Sequence, residues 1–321
     1  MKKALLIILS LIYNLHGNAQ FSVNHSDTIT TENNSLPAPT YPLNKWIAPA
    51  ALVTAAGASF YSLNKSWYSN YSSSSFHAVN DMNNWRMMDK AGHAWSAYTI
   101  ARLSSPLWQL SGKNHTQAVW AAGITALSYQ SIIEVCDGFS SKWGYSWGDM
   151  AANTTGALAY VVQELLLDKQ VVQFKFSSFK PIQYDDNIKE RADELFGHTF
   201  TSRLLNDYNA QTYWASVNMK AIFPKTKIPA WFNMAVGYGA RQLFGETENR
   251  WTNKNDIAVD YTNIPRYSRF LLSPDIDFTK IKTGQRWLRV LLYMINTIKI
   301  PAPTLEYNST GKLKIHALLL N

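Results

Sequence analysis

The residues with the clearest capacity for chemistry are polar side chains within long, apolar, helix-like segments. They are Asp89, Lys90, His93, Glu134, Asp137, Asp149 and Asn153. Residues four apart share one face of a helix, so Asp89 lies beside His93, and Asp149 lies beside Asn153. Three consecutive segments therefore each present an acidic group near one end. Charges in apolar helices generally point inward to partners, and we expect these three ends to converge on one polar site.

Three kinds of role fit such a cluster. A carboxylate paired with a histidine suits general acid–base catalysis, and Asp, Glu and His side chains also hold metals and other ligands. The structural alternative is that Asp89 caps the helix of His93, while Glu134, Asp149 and Lys90 form a buried network that fixes helix register. The chain has no His-Glu-x-x-His zinc motif and no obvious nucleophile beside His93. We therefore expect no metal and no cofactor, and catalytic residues stay unassigned.

Several enzyme classes lose support from missing motifs. The chain has no Gly-x-Ser-x-Gly elbow, no phosphate-binding loop and no Gly-x-Gly-x-x-Gly fingerprint. It also lacks the Lys-Arg-Pro and Ser-Arg-His-Asp blocks of lipid phosphatases. Serine hydrolases, nucleotide enzymes and lipid phosphatases are therefore disfavoured.

The segments that position the polar residues are roughly 88–110, 117–136 and 147–167, preceded by an apolar segment at 46–63. All are rich in small residues, which let helices approach closely, as in membrane bundles. Polar residues such as Arg102 interrupt them, and the mean hydropathy of −0.20 is that of a soluble protein. The alternative is thus a soluble bundle with charges at helix ends. We predict a membrane-associated bundle of about four helices over residues 45–168.

These residues carry a resemblance to known families. Asp89-Lys90-x-x-His93, Glu134 and Asp149-x-x-Ala-Asn153-x-x-Gly resemble the pattern of the VanZ-like membrane family. The fuller run 134–153, with Asp137-Gly-Phe-Ser, is similar to the uncharacterised YfiM-type family of predicted periplasmic lipoproteins. The resemblance covers about residues 85–165 and implies an envelope location without an assigned activity. Antibiotic resistance, with which the VanZ-like family is associated, is not carried over.

The N-terminus predicts export. Lys2 and Lys3 precede an apolar run of about ten residues, and Gly17 and Ala19 fit the small positions before a cleavage site, so we assign residues 1–19 to a signal peptide. Residues 20–44 are rich in Ser, Thr, Asn and Pro and are predicted to be a disordered tether. The single cysteine, Cys136, is too distant to serve as a lipoprotein cysteine and leaves no partner for an internal disulfide.

Composition narrows the partners. The net charge of +8 favours anionic lipid head groups or phosphate-bearing envelope polymers. Charged residues make up 16% of the chain and aromatic residues 13%, a balance that suits a lipid–water interface and equally an aromatic-rich β domain. Nucleic acid is not expected, because no basic run or nucleic-acid motif is present. Inner and outer membranes are both compatible, and the oligomeric state is not indicated.

The C-terminal part changes period. After a predicted linker at 169–205, residues 206–321 alternate between apolar and polar, as in Tyr213, Ala215 and Val217 against Ser216 and Asn218. Similar runs cover 232–238, 270–278 and 313–319, and a helical pattern covers 285–298. We predict an α+β protein whose C-terminal half is an antiparallel, β-rich domain of half-buried strands with one packed helix.

Two functions remain open. The first is a membrane-associated structural or binding protein of the cell envelope, located in the periplasm at a membrane. The second is a membrane-proximal enzyme that acts on a lipid or cell-wall precursor through the Asp/His/Glu cluster. We favour the first, because the cluster lacks a nucleophile.

Overall fold

The structure is a computed structural model that describes residues 44–66, 68, 72–253 and 256–320. The predicted signal peptide at 1–19 and all of the predicted tether except its last residue lie outside the described residues. Within the described ranges the protein is a mixed α/β structure with eight α-helices and a six-stranded antiparallel sheet.

Four long helices come first. They are α1 (Ile47–Ser66), α2 (Met88–Leu110), α3 (His115–Gly138) and α4 (Trp147–Leu167). Helix α3 begins with a capping box in which the side chains and backbones of Asn114 and Gln117 bond reciprocally. The side chain of Ser146 caps α4 by accepting a hydrogen bond from the backbone N–H of Asp149. The sequence pattern therefore set these helix starts locally.

Helices α2, α3 and α4 pack on one another through small residues. Their shared core includes the fully buried Ala97, Ala101, Ala122 and Ala126. Gly156 of α4 lies so close to α2 that an added Cβ would stand 2.0 Å from the carbonyl oxygen of Ala94. Small side chains are thus what allows the three backbones to approach, as the sequence predicted.

Helix α1 is more peripheral. Its N-terminal end is tied down by a 3.1 Å hydrogen bond from the Ala48 N–H to the hydroxyl of Ser111, and Ser59 bonds the hydroxyl of Tyr129 in α3. Val53 and Tyr61 are largely exposed. The three-helix unit is therefore clear, whereas a regular bundle of all four helices is not.

The membrane question has one direct observation among the described residues. Only α3 has the length and apolar composition to cross a bilayer, with 39% of its most apolar window buried within the protein. A buried core helix of a soluble protein has the same properties, so α3 alone does not decide between the two predicted kinds of bundle.

The main sheet contains β3 (Val172–Ser177), β4 (Thr212–Asn218), β5 (Phe232–Arg241), β8 (Tyr267–Ile276), β9 (Thr304–Asn308) and β10 (Leu313–His316). Neighbours in space follow chain order, and every pair is antiparallel. Smaller pairs join β1 (Ala78–Val79) to β2 (Tyr145–Ser146) and β6 (Arg250–Thr252) to β7 (Ala258–Asp260). The antiparallel, β-rich C-terminal half expected from the alternating pattern is present.

Several elements differ from their predicted positions. Residues 169–205, expected to be a linker, contain strand β3 and helices α5 (Asp186–Phe196) and α6 (Phe200–Asn206). Helix α7 (Met219–Ile222) replaces the end of the strand expected through Ala221, because the side chain of Asn218 caps a helical turn there. Helix α8 (Arg286–Ile295) falls within the predicted helical range, so the C-terminal half contains more helices than the one expected.

The sheet has the opposite polarity to that of a soluble sheet with an apolar core. Its apolar side chains point outward and are exposed, including Val236, Phe270 and Leu272. The alternate positions, which carry residues such as Ser216 and Asn233, are buried. A period of two separates the faces of a strand but does not say which face is covered, so only the fold could reveal this inversion.

Buried polar side chains hold the inner face together. The Lys175 ammonium lies 2.8 Å from a carboxylate oxygen of Asp275, and both side chains are fully buried. The same Asp275 oxygen accepts a 2.6 Å hydrogen bond from the Ser216 hydroxyl. Farther along the sheet Arg269 pairs with Glu306 at 3.0 Å. Charge pairing therefore takes the place of an apolar core on this side of the sheet.

The helical unit docks on the β3 end of the sheet through aromatic rings. Tyr98 of α2 packs on Phe174, with 5.0 Å between ring centroids, and Trp95 packs on Phe176 at 5.1 Å. Both aromatic residues of β3 point away from the polar inner face. The polar cluster of the helices thus lies in the same folded body as the sheet.

Candidate functional site

A sharp turn places the first group of polar residues. Before α2, the backbone of Trp85, Arg86 and Met87 adopts positive φ angles of 49°, 51° and 60°. Such left-handed backbone is costly for residues other than glycine. It is held by a 2.7 Å hydrogen bond from the Trp85 N–H to the carbonyl of Glu246. Helix α2 therefore starts abruptly, and Asp89 lies in its first turn.

The other groups come from the adjoining helix ends. Glu134 lies in the last turn of α3, and Asp149 lies in the first turn of α4, with Asn153 one turn later. Because α3 runs between α2 and α4 with short connections, its C-terminal end meets the N-terminal ends of both neighbours. The three ends converge, which is the arrangement that the spacing predicted.

His93 occupies the centre of the cluster. Its Nδ1 atom lies 3.1 Å from Oδ1 of Asn153 and 3.4 Å from Oε1 of Glu134. Its Nε2 atom lies 3.6 Å from Oδ1 of Asp149 and 3.8 Å from Oδ1 of Asp89. The histidine side chain is 17% exposed, so solvent reaches the cluster.

Lys90 forms a second centre beside it. Its ammonium lies 2.7 Å from Asp81, 2.8 Å from Asp149 and 3.1 Å from Asp89. Asp81 in turn accepts a 2.5 Å hydrogen bond from Ser146. One lysine thus ties the loop before α2 to the start of α4.

The pKa values follow from burial and from this crowding of charge. Burial raises the pKa of Glu134 to about 8, and repulsion from Asp149 acts in the same direction. Burial and the Asp89 charge raise the pKa of Asp149 to about 6. Burial opposes protonation of His93, but attraction to Asp89, Asp149 and Glu134 outweighs it and raises the pKa of the imidazole. Near neutral pH the buried Glu134 therefore carries a proton.

Asp89 behaves differently. Burial by itself would raise its pKa, but the charges of His93 and Lys90 lower it, and the hydroxyl of Tyr208 adds a 2.9 Å hydrogen bond to Oδ1. Asp89 is therefore the carboxylate of the group that stays ionised. Tyr208 belongs to the C-terminal half, so the cluster also links the helices to the rest of the protein.

Asp137 lies at the margin of the cluster. Its carboxylate accepts a 2.7 Å hydrogen bond from Tyr68, and burial raises its pKa to about 6. It shares an electrostatic field with His93 without a printed bond to it. Six of the seven predicted residues thus form one connected group, and the seventh is a neighbour.

Sequence reasoning missed three partners. Asp81, Tyr208 and Gln130 were not singled out, although Gln130 donates a 2.9 Å hydrogen bond to Oδ1 of Asn153. Gln130 lies four residues before Glu134, on the same helical face, and this spacing could have identified it. Asp81 and Tyr208 belong to a loop and to a distant segment, so no local pattern points to them.

A separate cavity of about 460 Å³ lies between the helical unit and the sheet. Its lining includes Arg102, Tyr160, Glu164 and Tyr293. Arg102 stacks on the ring of Tyr293 at 4.0 Å and donates a hydrogen bond to its backbone carbonyl. The cavity and the polar cluster are lined by different residues.

Comparison with known proteins gives one match. A family model described as a predicted periplasmic lipoprotein family, DUF2279, matches residues 79–164. These residues contain all seven predicted site residues and cover about a quarter of the chain, and the description supports a cell-envelope protein without an assigned activity. The VanZ-like pattern stays a prediction, and the chain's one cysteine, Cys136, is half-buried within α3. No curated protein and no solved structure matches the chain significantly.

Proposed function

We propose that this protein is a membrane-associated binding or structural protein of the cell envelope, held against lipid by the outward face of its sheet. The observation that carries the proposal is the inverted polarity of the sheet. Transmembrane and lipid-contacting strands place apolar residues outward and polar residues inward, whereas sheets in water do the reverse.

The exposed apolar side chains form neighbouring rows. Leu272 of β8 is paired with Val236 of β5 and with Leu305 of β9, and Leu305 is paired with Ile315 of β10. These four side chains are exposed by 44%, 55%, 40% and 82%, respectively. Apolar surface costs about 25 cal/mol per Å² in water, so a contiguous patch of this kind marks an interaction surface. Lipid chains remove that cost without requiring a shaped partner.

Helix α8 supplies a second apolar surface. Its ten residues are all described, and none is fully buried. Trp287, Leu291 and Met294 are exposed, and Ile298 continues the same helical spacing beyond the end of the helix. An exposed apolar stripe on a short helix is typical of helices that lie in a membrane interface.

Charge around α8 complements an anionic lipid surface. Lys280, Lys282, Arg286 and Arg289 precede or lie in the helix, and residues 278–305 contain no Asp or Glu. Each basic group near an anionic membrane contributes about 1 kcal/mol to binding. The small-residue helices α1 to α4 then form the membrane-proximal bundle of this proposal, with α3 as the helix most suited to enter lipid.

Vesicle flotation tests the proposal. Full-length protein in detergent is mixed with phosphatidylethanolamine–phosphatidylglycerol lipid, the detergent is removed, and the vesicles are floated in low and high salt. We expect Leu272→Lys and Ile315→Lys to lower the floated fraction severalfold. Leu205→Lys is the matched control, because Leu205 is 62% exposed on α6, outside the sheet.

Two outcomes would contradict lipid contact through the sheet. One is complete release of the wild-type protein by high salt, which would leave only electrostatic attraction. The other is equal flotation of the sheet variants and the wild type. Either outcome would favour the alternative of a soluble helical unit with a partner protein on the sheet.

The central position of His93 favours one second candidate, a membrane-proximal enzyme acting on a lipid or cell-wall precursor. His93 is partly exposed and faces Asp89, Glu134 and Asp149, an arrangement that suits proton transfer. A deletion strain complemented with His93→Ala or Glu134→Gln tests it. Loss of complementation at normal protein abundance supports the enzyme, whereas a phenotype that follows abundance supports a structural network.

A further inference from the structure

The two ring nitrogens of His93 have unequal surroundings. Nδ1 faces Oδ1 of Asn153, and this oxygen also receives a hydrogen bond from the amide of Gln130. Because the oxygen is an acceptor in both contacts, the proton of a neutral imidazole belongs on Nδ1. Nε2 then presents its lone pair to the carboxylate oxygens of Asp89 and Asp149 at 3.8 and 3.6 Å.

Those separations are too long for hydrogen bonds and place three electron-rich atoms around one space. One donor atom from each of Asp89, His93 and Asp149 lies within 4.8 Å of the other two. Zinc–ligand distances of about 2.0–2.1 Å with tetrahedral angles separate neighbouring donors by about 3.3 Å. The observed distances therefore need to contract by only a few tenths of an ångström.

A second, independent observation lies behind the histidine. Oε1 of Glu134 has no hydrogen-bond partner among the described residues, and the Glu134 side chain is 1% exposed. This atom is aimed at Nδ1 of His93 from 3.4 Å. Metal-bound histidines generally direct their second ring N–H to a carboxylate or carbonyl oxygen, which orients the ring and raises its basicity.

We propose that Asp89, His93 and Asp149 bind one divalent transition-metal ion of the zinc class, with Glu134 and Asn153 orienting the histidine from behind. The ion takes Nε2 of His93 and one oxygen from each aspartate, and water completes its coordination. One imidazole with two carboxylates suits a borderline ion such as Zn²⁺, whereas Mg²⁺ prefers oxygen ligands alone.

Lys90 sets the condition for binding. Its ammonium contacts Oδ1 of Asp149, the same oxygen that faces His93, so the ion must displace this contact. The lysine keeps Asp81 at 2.7 Å and Oδ2 of Asp89 at 3.1 Å. Asp81 thus provides a place for the displaced positive charge, and four carboxylates in the cluster balance the lysine and the metal together.

The coordination is tested first on the wild-type protein. Metal-free, full-length protein without an affinity tag is titrated with ZnCl₂ by calorimetry, and the zinc-loaded protein is examined by zinc K-edge X-ray absorption. We expect one tight equivalent with a single imidazole and oxygen ligands. Two or more imidazole ligands, or no tight equivalent, would overturn the proposal without any variant being needed.

Variants then locate the ion. His93→Gln and Asp149→Asn are expected to weaken zinc binding at least about 100-fold, and Glu134→Gln about 10-fold or more. Asp137→Asn is the matched control, because this neighbouring carboxylate bonds Tyr68 and lies outside the donor set. Circular dichroism establishes that each variant is folded. Unchanged binding in folded His93→Gln, or an equal loss in Asp137→Asn, would mean an adventitious ion only.

Discussion

Oε1 of Glu134 lies 3.4 Å from Nδ1 of His93, and the carboxyl group that carries it is buried between α3 and α4. The helical unit thus holds an ionisable pair at the point where three helix ends meet. Burial is the largest influence on Glu134, and it favours the neutral acid. The consequences for stability are measurable.

Glu134→Gln should make the metal-free protein more stable at neutral and alkaline pH. The pKa of Glu134 is about 8 in the folded protein, against 4.5 as its ordinary value. A raised folded-state pKa contributes stability that is present below pH 4.5 and is lost as pH rises to about 8. Glutamine mimics the neutral acid and avoids this loss, a gain on the order of 3 kcal/mol at pH 8.

The measurement is urea unfolding of both proteins from pH 5 to pH 9 with a chelator present. The two stabilities should be similar at pH 5, diverge up to about pH 8 and stay parallel above it. A glutamine variant that is less stable at every pH would show that the carboxylate is ionised and paired.

Gly156→Ala should weaken the contact between α2 and α4. The added Cβ would meet the Ala94 carbonyl oxygen at 2.0 Å, and backbone cannot rotate away as a side chain can. Overpacking of this kind costs about 1–3 kcal/mol or more, which corresponds to a melting temperature lower by roughly 5 °C.

Gly57→Ala is the matched control, because an added Cβ there meets nothing within 4 Å in helix α1. Alanine is the better helix former by roughly 0.5–1 kcal/mol, so this variant should be unchanged or slightly more stable. Thermal melts by circular dichroism compare the pair, and equal effects of both substitutions would argue against close packing at Gly156.

Lys299→Met should stabilise the protein most at and below neutral pH. Lys299 is buried over the ring of Trp214, with 4.6 Å between its ammonium and the ring centroid. Burial lowers its pKa from 10.5 to about 8, so its charged form is disfavoured in the folded state. The gain from methionine should be on the order of 2 kcal/mol up to pH 8 and should shrink toward pH 10.5, where the unfolded lysine also loses its proton. Urea unfolding at pH 7 and pH 10 checks this, and a gain that is the same at both values would contradict it.

Asp275→Asn should be strongly destabilising, because it leaves the Lys175 ammonium without its buried counter-charge. Breaking a buried pair in this way costs about 3–5 kcal/mol. The double variant Lys175→Met with Asp275→Leu removes both charges and should recover most of the loss, which denaturant unfolding of the three proteins would reveal. A double variant as unstable as Asp275→Asn would place the energy in the Ser216 hydrogen bond instead.

Local spacing determined much of the helical unit. The helix expected at 88–110 is observed as Met88–Leu110, and the i, i+4 relation of Asp89 and His93 holds. Helical period, small-residue composition and caps such as Asn114 act within a few residues, so they can be read along the chain. The same is true of the alternation that predicted strands β4, β5, β8 and β10.

The tertiary structure decided which surfaces are buried and which distant groups meet. Alternation at Val236 and Leu272 defines two faces, but only the packing of the whole sheet shows that the polar face is covered and the apolar face is open. Asp81 and Tyr208 reach Lys90 and Asp89 from a loop and a distant segment. Burial and long-range electrostatics depend on three-dimensional neighbours, and these are set by the fold as a whole and not by any local stretch of sequence.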